Sequence, residues 1–301
     1  MTVVGSLNVD RVVPVRDLPA PGATVIGVEP SRRGPGGKGA NQAAAAASYA
    51  VGSVAVAMVG AVGADDGADL CLDDLTRRGV DVTGVRRLAE VATGNATVAL
   101  DAAGQNLIVV DPGANAALGV DDVRTPAVGD ADVVLLQLET PVPVVTAAAE
   151  HAAGRVVLNP APPPAPGDDL SAVLAAADVL VPNRGELAAM VGEPEAATGE
   201  QVLAQVRSLP TSADVVVTLG GSGALVVAGG VVTEVPAPRV DAVDTTGAGD
   251  CFCGVLTVAL AEGASLVDAT RLAVAAASVS VQGAGARGRL PSRGEVAQPA
   301  G

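Results

Sequence analysis

The chain has 301 residues, of which 49% are hydrophobic and 17% charged, and its net charge is −15. This length and apolar content predict one large α/β domain, or two modest ones, whose core needs no disulfide or metal. The acidic charge repels phosphate backbones, and one Tyr, one Phe and no Trp leave almost no stacking surface for bases, so a nucleic-acid partner is disfavoured.

Several other classes are also disfavoured. Asp, Gly or Pro breaks every apolar stretch before about 18 residues, so no membrane span is predicted. The first residues, Met1–Gly5, lack a basic segment and a leader-like apolar block, and they predict a strand rather than a signal peptide. The cysteines Cys71, Cys251 and Cys253 form no CxxC or zinc spacing and suit packing in a reducing cytoplasm. The single histidine, His151, is expected to lie on a helix surface, and a catalytic triad that depends on histidine is disfavoured.

Short β-branched runs alternate along the chain with Ala-rich segments. After a first strand at Val3–Leu7, the runs predicted as buried strands are Val54–Val59, Val133–Leu138, Val156–Leu158, Val179–Val181 and Val215–Leu219. Helices are predicted at Ala40–Ala50, Ala64–Arg78, Val142–Ala153, Glu186–Val191 and Cys251–Leu260. This alternation predicts an α/β fold, a mainly parallel sheet between helices, which binds ligands beyond the carboxyl ends of its strands.

Two segments interrupt the alternation. Residues 11–33 and 91–111 contain Pro, Gly and alternating apolar residues typical of β-hairpins or loops. We expect them to form a small β lid over one end of the sheet, within a single domain that spans residues 1–301. The Pro-rich stretch Pro160–Pro166 predicts a rigid loop, and the polar tail from Arg287 is expected to fray.

The strongest chemical signal is Asp244-Thr245-Thr246-Gly247-Ala248-Gly249-Asp250, which stands directly before an apolar helix. Small residues at a helix start leave backbone N–H groups free, and with the helix dipole these form an anion site. Such a site can stabilise the charge on a transferring phosphoryl group. Asp250, at its rim, is suited to accept the proton of an attacking hydroxyl. Alternatively, Asp250 only caps the helix.

A second glycine cluster is Gly34-Pro35-Gly36-Gly37-Lys38-Gly39-Ala40-Asn41-Gln42. It is not a Walker A loop, since that pattern needs Gly at position 32 and Ser or Thr at position 39, where this chain has Arg32 and Gly39. The glycines allow close approach of a ligand, and Lys38 and Asn41 can donate hydrogen bonds to hydroxyl groups. Alternatively, the cluster is only a junction between a loop and a helix.

A third cluster, Thr218-Leu219-Gly220-Gly221-Ser222-Gly223-Ala224, follows a predicted strand. It is either a tight turn or a nucleotide contact. A dinucleotide site is poorly supported, because no GxGxxG is followed by an acidic residue about 20 positions later.

Polar residues follow other predicted strands. Asn8 and Asp10 are suited to grip sugar hydroxyls, or they form Asx-turns. Asn183 and Glu186 either order water around Mg²⁺ or start a helix as cap and partner. Glu139 is a further carboxylate at a strand exit. Together these groups favour one shared cleft.

These motifs, in this order, resemble the ribokinase family within the broader phosphofructokinase-B group, from Gly5-Ser6-Leu7-Asn8-Val9-Asp10 to about Gly285-Ala286. Gly36–Gln42 resembles the sugar-side signature, Asp244–Asp250 the phosphoryl-transfer signature, and Asn183–Glu186 the NxxE magnesium motif. The resemblance implies a three-layer ribokinase-like fold and ATP-dependent phosphorylation of D-ribose at its primary hydroxyl. Fructose, deoxyribose or a nucleoside remain alternative substrates, and a non-catalytic sugar or nucleotide sensor remains an alternative class.

The resemblance also implies roles for individual residues. The sugar would be surrounded by Asn8, Asp10, Gly37, Lys38, Asn41 and Glu139, with Asp250 as the base. The anion hole would consist of the backbone amides of Gly247, Ala248 and Gly249. Glu186 would hold the Mg²⁺ of Mg²⁺–ATP through water, and the nucleotide would contact Asn183, Thr218, Gly220, Gly221, Ser222, Gly223 and Gly249.

Two further properties of the family bear on this chain. A monovalent cation such as K⁺ often lies beside the anion hole, where the matching residues are Asp244, Thr246, Ser280, Gly283 and Gly285. Cys253 and Arg289 stand where ribokinases commonly have Asn and Ser, and Arg289 leaves potassium activation open. The lids often pair into homodimers, and such a surface would come from Val12, Val13, Val15, Val98 and Leu100.

Overall fold

The structure, a computed structural model, describes residues 1–165 and 167–296. Pro166, in the predicted Pro-rich loop, and residues 297–301, in the predicted tail, lie outside the described residues. The strands of the described part are β1 (Thr2–Val4), β2 (Asn8–Pro14), β3 (Arg32–Gly36), β4 (Ala57–Gly63), β5 (Asp81–Leu88), β6 (Gly94–Leu100), β7 (Asn106–Asp111), β8 (Val133–Leu136), β9 (Arg155–Leu158), β10 (Val179–Leu180), β11 (Asp214–Thr218), β12 (Ala224–Ala228) and β13 (Val231–Val235).

The α-helices of the same residues are α1 (Lys38–Ala50), α2 (Asp66–Arg77), α3 (Val120–Val123), α4 (Pro126–Gly129), α5 (Val142–His151), α6 (Ser171–Ala176), α7 (Arg184–Val191), α8 (Gly199–Ser208), α9 (Ala248–Ala261) and α10 (Leu266–Ser280). None of the described helices has the length and apolar character needed to span a bilayer.

A nine-stranded sheet forms the centre of the molecule, in the order β13-β12-β11-β10-β9-β8-β1-β4-β5. All neighbours from β11 to β5 are parallel, and only β12 and β13 are added antiparallel at one edge. The carboxyl ends of the parallel strands therefore meet at one edge, where ligands bind in open α/β sheets.

Helices cover both faces of this sheet, which explains why strands such as β8 are apolar at every position and buried throughout. Successive residues of a strand face opposite sides, so that Val3 packs in the core beneath α1, α2, α9 and α10, while Val4 packs in the core beneath α3 to α8. The predicted α/β class is confirmed.

A separate four-stranded sheet has the order β3-β2-β6-β7 and contains residues of both segments predicted as a lid. Its strand β2 follows β1 after only three residues, so it begins at the edge where the parallel strands end. Val15, predicted for a dimer surface, is only 3% exposed, because its backbone bridges to Gly27. The other four residues predicted for that surface, Val12, Val13, Val98 and Leu100, are half-buried, and the most exposed apolar residues of this sheet lie on β7, at Leu107, Ile108, Val109 and Val110.

The predicted elements are found, with shifted ends. The first strand ends at Val4 rather than at residue 7, because the chain then crosses to the second sheet. The strand predicted at 54–59 spans Ala57–Gly63, because pairing with β1 begins only at the register of Ala57 with Thr2. It continues through Gly60, where a Cβ would lie 2.6 Å from the carbonyl oxygen of Gly5, so the absent side chain permits close strand packing.

The expectation that the tail frays from Arg287 is wrong for its described part. The Arg287 side chain is buried in an ion pair with Asp74 of α2, with 2.6 Å between Nη1 and Oδ2. Further along, Arg293 lies 4.8 Å above the ring of Tyr49 and donates to Glu262, and Val296 is buried. Buried charge pairing and apolar contact thus hold this segment against α1, α2 and α9.

Candidate active site

Asp250 lies in the first turn of α9, and its carboxylate faces another helix. Its side chain is 8% exposed and accepts hydrogen bonds from Nδ2 of Asn41 at 3.0 Å and Nε2 of Gln42 at 3.1 Å. The helix cap is Gly247, so the alternative that Asp250 only caps the helix is wrong. Burial raises the pKa of the Asp250 carboxyl, opposed by the positive charge of Lys38 and by the two amide donors.

The start of α9 also exposes backbone amides. The amide of Ala248 donates to the carbonyl of Thr245 at 3.2 Å, whereas those of Gly247 and Gly249 have no acceptor among the residues that the structure describes. Gly247 has φ +74°, and a Cβ there would lie 2.7 Å from Cα of Ala286. Only glycine fits this position, which turns the free amides outward beside Asp250.

The cluster Gly34–Gln42 joins the second sheet to α1. Gly37 has φ +86°, and a Cβ on it would lie 2.8 Å from the backbone nitrogen of Asn8. A Cβ on Gly39 would lie 2.6 Å from the backbone nitrogen of Ser6. The cluster is therefore a junction between a strand and a helix, and its missing side chains also let α1 begin directly against the end of β1.

Lys38, the first residue of α1, is surrounded by carboxylates. Its backbone amide donates to Oε2 of Glu139 at 2.9 Å, and Glu139 also accepts the hydroxyl hydrogen of Ser6. Burial lowers the pKa of the Lys38 ammonium, but the negative charges of Asp250, Glu139 and Glu186 outweigh it and raise that pKa. Lys38 therefore stays charged at neutral pH.

Asn8 and Asp10 lie within strand β2, so the alternative that they form Asx-turns is wrong. The oxygen Oδ1 of Asn8 accepts from Nδ2 of Asn115 at 2.7 Å. Burial raises the pKa of Asp10 to about 6, with Arg287 lowering it and Glu139 and Asp250 raising it. Burial thus keeps Asp10 protonated to a higher pH than an ordinary aspartate.

Asn183 and Glu186 form a reciprocal capping box at the start of α7. Each side chain accepts the other's backbone N–H at 2.8 Å. Burial raises the pKa of Glu186, while the Asn183 amide and the charge of Lys38 lower it. Among the described residues, Oε1 of Glu186 has no hydrogen-bond partner. The helix-start interpretation is thus present in the structure, and one carboxylate oxygen remains free for a ligand.

A cavity of about 190 Å³ brings the separate motifs together. Its lining consists of Lys38, Asn159, Ala161, Val181, Asn183, Glu186, Thr218, Gly247, Gly249, Asp250 and Cys253. These residues end or follow β9 to β11, or lie in the first turns of α1, α7 and α9, so the cavity lies at the edge predicted to bind ligands. A larger cavity of about 370 Å³, between the second sheet and the start of α2, contains none of the predicted site residues.

The third glycine cluster is a tight turn. Residues Gly220–Ser222 form one 3₁₀ turn between the antiparallel strands β11 and β12. Gly223 has φ +100°, and a Cβ there would lie 2.0 Å from the carbonyl oxygen of Val235. Thr218 lines the cavity, while Gly220, Gly221, Ser222 and Gly223 do not.

The residues matched to a cation loop lie beside the start of α9. Asp244 accepts hydrogen bonds from the amide of Thr246 at 2.9 Å and from the amide of Gly285 at 2.8 Å. Arg289 is directed elsewhere, since it donates to Gln282 at 3.1 Å and lies 3.6 Å from Glu295. The Ser280 hydroxyl is used within α10, where it donates to the carbonyl of Ala277.

Five residues of this network received no role from the sequence. Gln42 donates from Nε2 to Asn159 as well as to Asp250, and it accepts from Gln137. Asn115 supports Asn8, and Arg287 donates to Asn41. Gln42 stands within the glycine cluster at positions 34–42, but no local pattern marks Asn115, Gln137, Asn159 or Arg287 as a functional residue.

The chain is similar in sequence and in structure to known proteins. The sequence pattern of the pfkB family carbohydrate kinases matches residues 1–293. The chain is 34% identical over 304 residues to ribokinase of Haemophilus influenzae, which covers 98% of this chain and 96% of the relative. It is 33% identical over 299 residues to deoxyribokinase of Salmonella typhi, with coverages of 97% and 95%.

The structure is similar to that of Arabidopsis thaliana ribokinase complexed with ribose and ATP. The TM-score is 0.85 at 34% identity, and the match covers 98% of this chain and 96% of the other. The expected ribokinase-like fold is therefore confirmed. Matches in sequence and structure over nearly the full length show that the chain belongs to the pfkB family of carbohydrate kinases.

Proposed function

We propose that this protein transfers the γ-phosphoryl group of ATP to the primary hydroxyl of D-ribose, giving D-ribose 5-phosphate and ADP. One observation carries the proposal: the buried carboxylate of Asp250 shares a cavity with the free amides of α9, with Lys38 and with Glu186. A base beside an anion site is the arrangement that phosphoryl transfer to an alcohol needs.

Asp250 acts as the base. The hydroxyl oxygen of the sugar attacks the γ-phosphorus, its proton passes to the Asp250 carboxylate, and the bond to the bridging oxygen of ADP breaks. Burial raises the pKa of Asp250, which makes its carboxylate a better proton acceptor, while Asn41 and Gln42 hold it in one orientation. The amides of Gly247, Ala248 and Gly249 stabilise charge on the phosphoryl oxygens, and those of Gly247 and Gly249 have no competing acceptor among the described residues.

The sugar lies between α1 and the second sheet. Its hydroxyls are bound by Asp10, Lys38, Asn41 and Asn8, with Gly37 providing close backbone approach and Glu139 holding the Lys38 turn. The four-stranded sheet serves as a lid that excludes water from the site, because water in an open site would hydrolyse ATP.

The nucleotide lies at the opposite end of the cavity, beside Asn183, Thr218 and the turn Gly220–Gly223. The free Oε1 of the buried Glu186 fits a divalent cation held through water, since hard cations take oxygen ligands. When bound, Mg²⁺ neutralises phosphate charge. Asp244, Thr246, Ser280, Gly283 and Gly285 are proposed to hold K⁺ as an activator, and the pairing of Arg289 with Glu295 leaves the Asp244 side of the loop clear.

Two properties of the whole protein complete the proposal. A homodimer contact through the lid would come from Val12, Val13, Val98 and Leu100 together with the exposed apolar strand β7, and a mass measurement in solution tests this.

The three cysteines are buried free thiols, which supports a cytoplasmic location.

The testing experiment measures ADP release across ribose, deoxyribose, fructose and a nucleoside, with Mg²⁺ present and with K⁺ compared with Na⁺. We expect the highest kcat/KM with ribose. Because a deoxyribokinase is nearly as similar as the ribokinase, a higher kcat/KM with deoxyribose would reassign the substrate. Sugar binding without ADP release would favour a sensor and contradict the proposal.

A further inference from the structure

Arg287 is buried behind the candidate active site and donates to three elements at once. Its side chain is 7% exposed. Nε donates to Oδ1 of Asn41 at 2.8 Å, Nη1 to Oδ2 of Asp74 at 2.6 Å, and Nη2 to the carbonyl of Gly36 at 3.2 Å. The guanidinium thus connects α1, α2 and the end of strand β3.

Arg287 and Asp250 hold the Asn41 amide from its two sides, and together they fix which way it points. A guanidinium only donates hydrogen bonds. Its partner in the Asn41 amide must therefore be the amide oxygen and not the amino group. With Oδ1 held by Arg287, the amino group Nδ2 is left to donate to Oδ2 of Asp250 at 3.0 Å. Without this donor, only the Asp250 carboxylate still selects Nδ2, and the Asn41 side chain loses the contact that fixes its position.

We infer that Arg287 is a positioning residue, which orients Asp250 through Asn41 and anchors the end of lid strand β3 through Gly36. The inference rests on the proposed function. Arg287 touches neither sugar nor nucleotide in that proposal. It acts because its rigid guanidinium fixes both the base Asp250, through Asn41, and the end of strand β3, and these two must meet across the sugar.

A second effect is electrostatic and concerns Asp10. The Asp10 carboxyl lies against Gly36 of β3, whose carbonyl accepts from Nη2 of Arg287 at 3.2 Å. The charges that act on Asp10 are those of Arg287 from the tail, Glu139 after β8 and Asp250 from α9. Arg287 is the one that lowers the pKa of Asp10, and the two carboxylates raise it. Loss of Arg287 therefore extends protonation of Asp10 to higher pH.

The test compares Arg287→Met, which removes charge and donors, with Arg287→Lys, which keeps the charge but not the fork. Arg78→Met is the matched control, because Arg78 pairs with the same carboxylate of Asp74 at 3.0 Å but, among the described residues, does not bond to Asn41 or Gly36. Each variant is measured for Tm, for kcat and for the pH dependence of kcat/KM for the sugar.

For Arg287→Met we expect kcat to fall about tenfold to a hundredfold, and the acid limb of kcat/KM to move to higher pH. For Arg287→Lys we expect the fall in kcat with the acid limb unchanged. Arg78→Met should lower Tm alone. A lower Tm with wild-type kcat and an unmoved acid limb in Arg287→Met would show a purely structural role and overturn the inference.

Two further experimental outcomes also bear on the role of Arg287. If Arg287→Met does not fold, wild-type kcat in Arg287→Lys overturns the inference. If the wild-type protein releases no ADP with any sugar, the proposed kinase function is wrong, but this result alone does not test the role of Arg287. The pH dependence of ribose binding by calorimetry then tests Arg287, and an acid limb that is the same in wild type and Arg287→Met contradicts its role.

Discussion

Asp10→Asn should make the free protein more stable while weakening sugar binding. The Asp10 carboxyl lies beneath β3, so close that a Cβ on Gly36 would be 2.2 Å from it, and burial raises its pKa from the ordinary 3.8 to about 6. A raised pKa means that the folded state binds the proton more tightly than the unfolded state. The protonated form thus stabilises the fold below pH 3.8, and this stability is lost as pH rises through about 6.

The size of the effect follows from the two pKa values. The difference between 3.8 and about 6 corresponds to about 3 kcal/mol at neutral pH, as an upper bound for a half-buried group. A neutral amide avoids this cost, so Asp10→Asn should gain about 1 to 3 kcal/mol at pH 8 and almost nothing at pH 3.5. Loss of a charge-assisted hydrogen bond to the sugar should raise KM about tenfold to a hundredfold.

Urea denaturation at pH 3.5, 6 and 8 measures the stability of both proteins, and ADP release measures KM. Asp121→Asn is the matched control, because the Asp121 side chain is 99% exposed and its loss should change stability by less than about 0.5 kcal/mol. Equal stability of Asp10→Asn and wild type at pH 8, or a gain that does not vary with pH, would refute burial as the cause of the raised pKa.

Three other variants test the chemistry. Asp250→Asn should still bind sugar and nucleotide but lose about 10²- to 10⁴-fold in turnover, and near-normal single-turnover ADP release would remove its role as base. Gly247→Ala forces φ +74° on a residue whose Cβ would lie 2.7 Å from Ala286, so it should cost about 1 to 3 kcal/mol and most activity. Gly199→Ala, where a Cβ meets no atom within 4 Å, should cost neither, and equal losses in both would contradict the strain argument. Glu186→Gln should raise the Mg²⁺ concentration for half-maximal activity with little change in sugar KM, and an unchanged Mg²⁺ dependence would contradict its role.

Much of the fold could be predicted from local patterns. A buried parallel strand such as β8 is apolar at every position because helices cover both of its faces, and this shows directly in the sequence. Positive-φ positions such as Gly37 and Gly247 likewise appear as glycines in the motifs. The predicted ends of strands and helices were less accurate. Strand β4, for example, begins where its partner β1 begins and not where its own apolar run starts.

The hydrogen bonds that orient the site depend on residues far apart in the chain. Asn41 and Asp250 are separated by 209 positions, and Arg287 and Asn41 by 246. No periodicity of strands or helices encodes such a pair, because the order of strands in the sheet decides which chain ends meet. The sequence by itself determined the layers, the glycine turns and the types of group in the cleft. Only the tertiary structure decided that a tail expected to fray buries its arginine, since the ion pair with Asp74 exists only after α1, α2 and β3 have packed together.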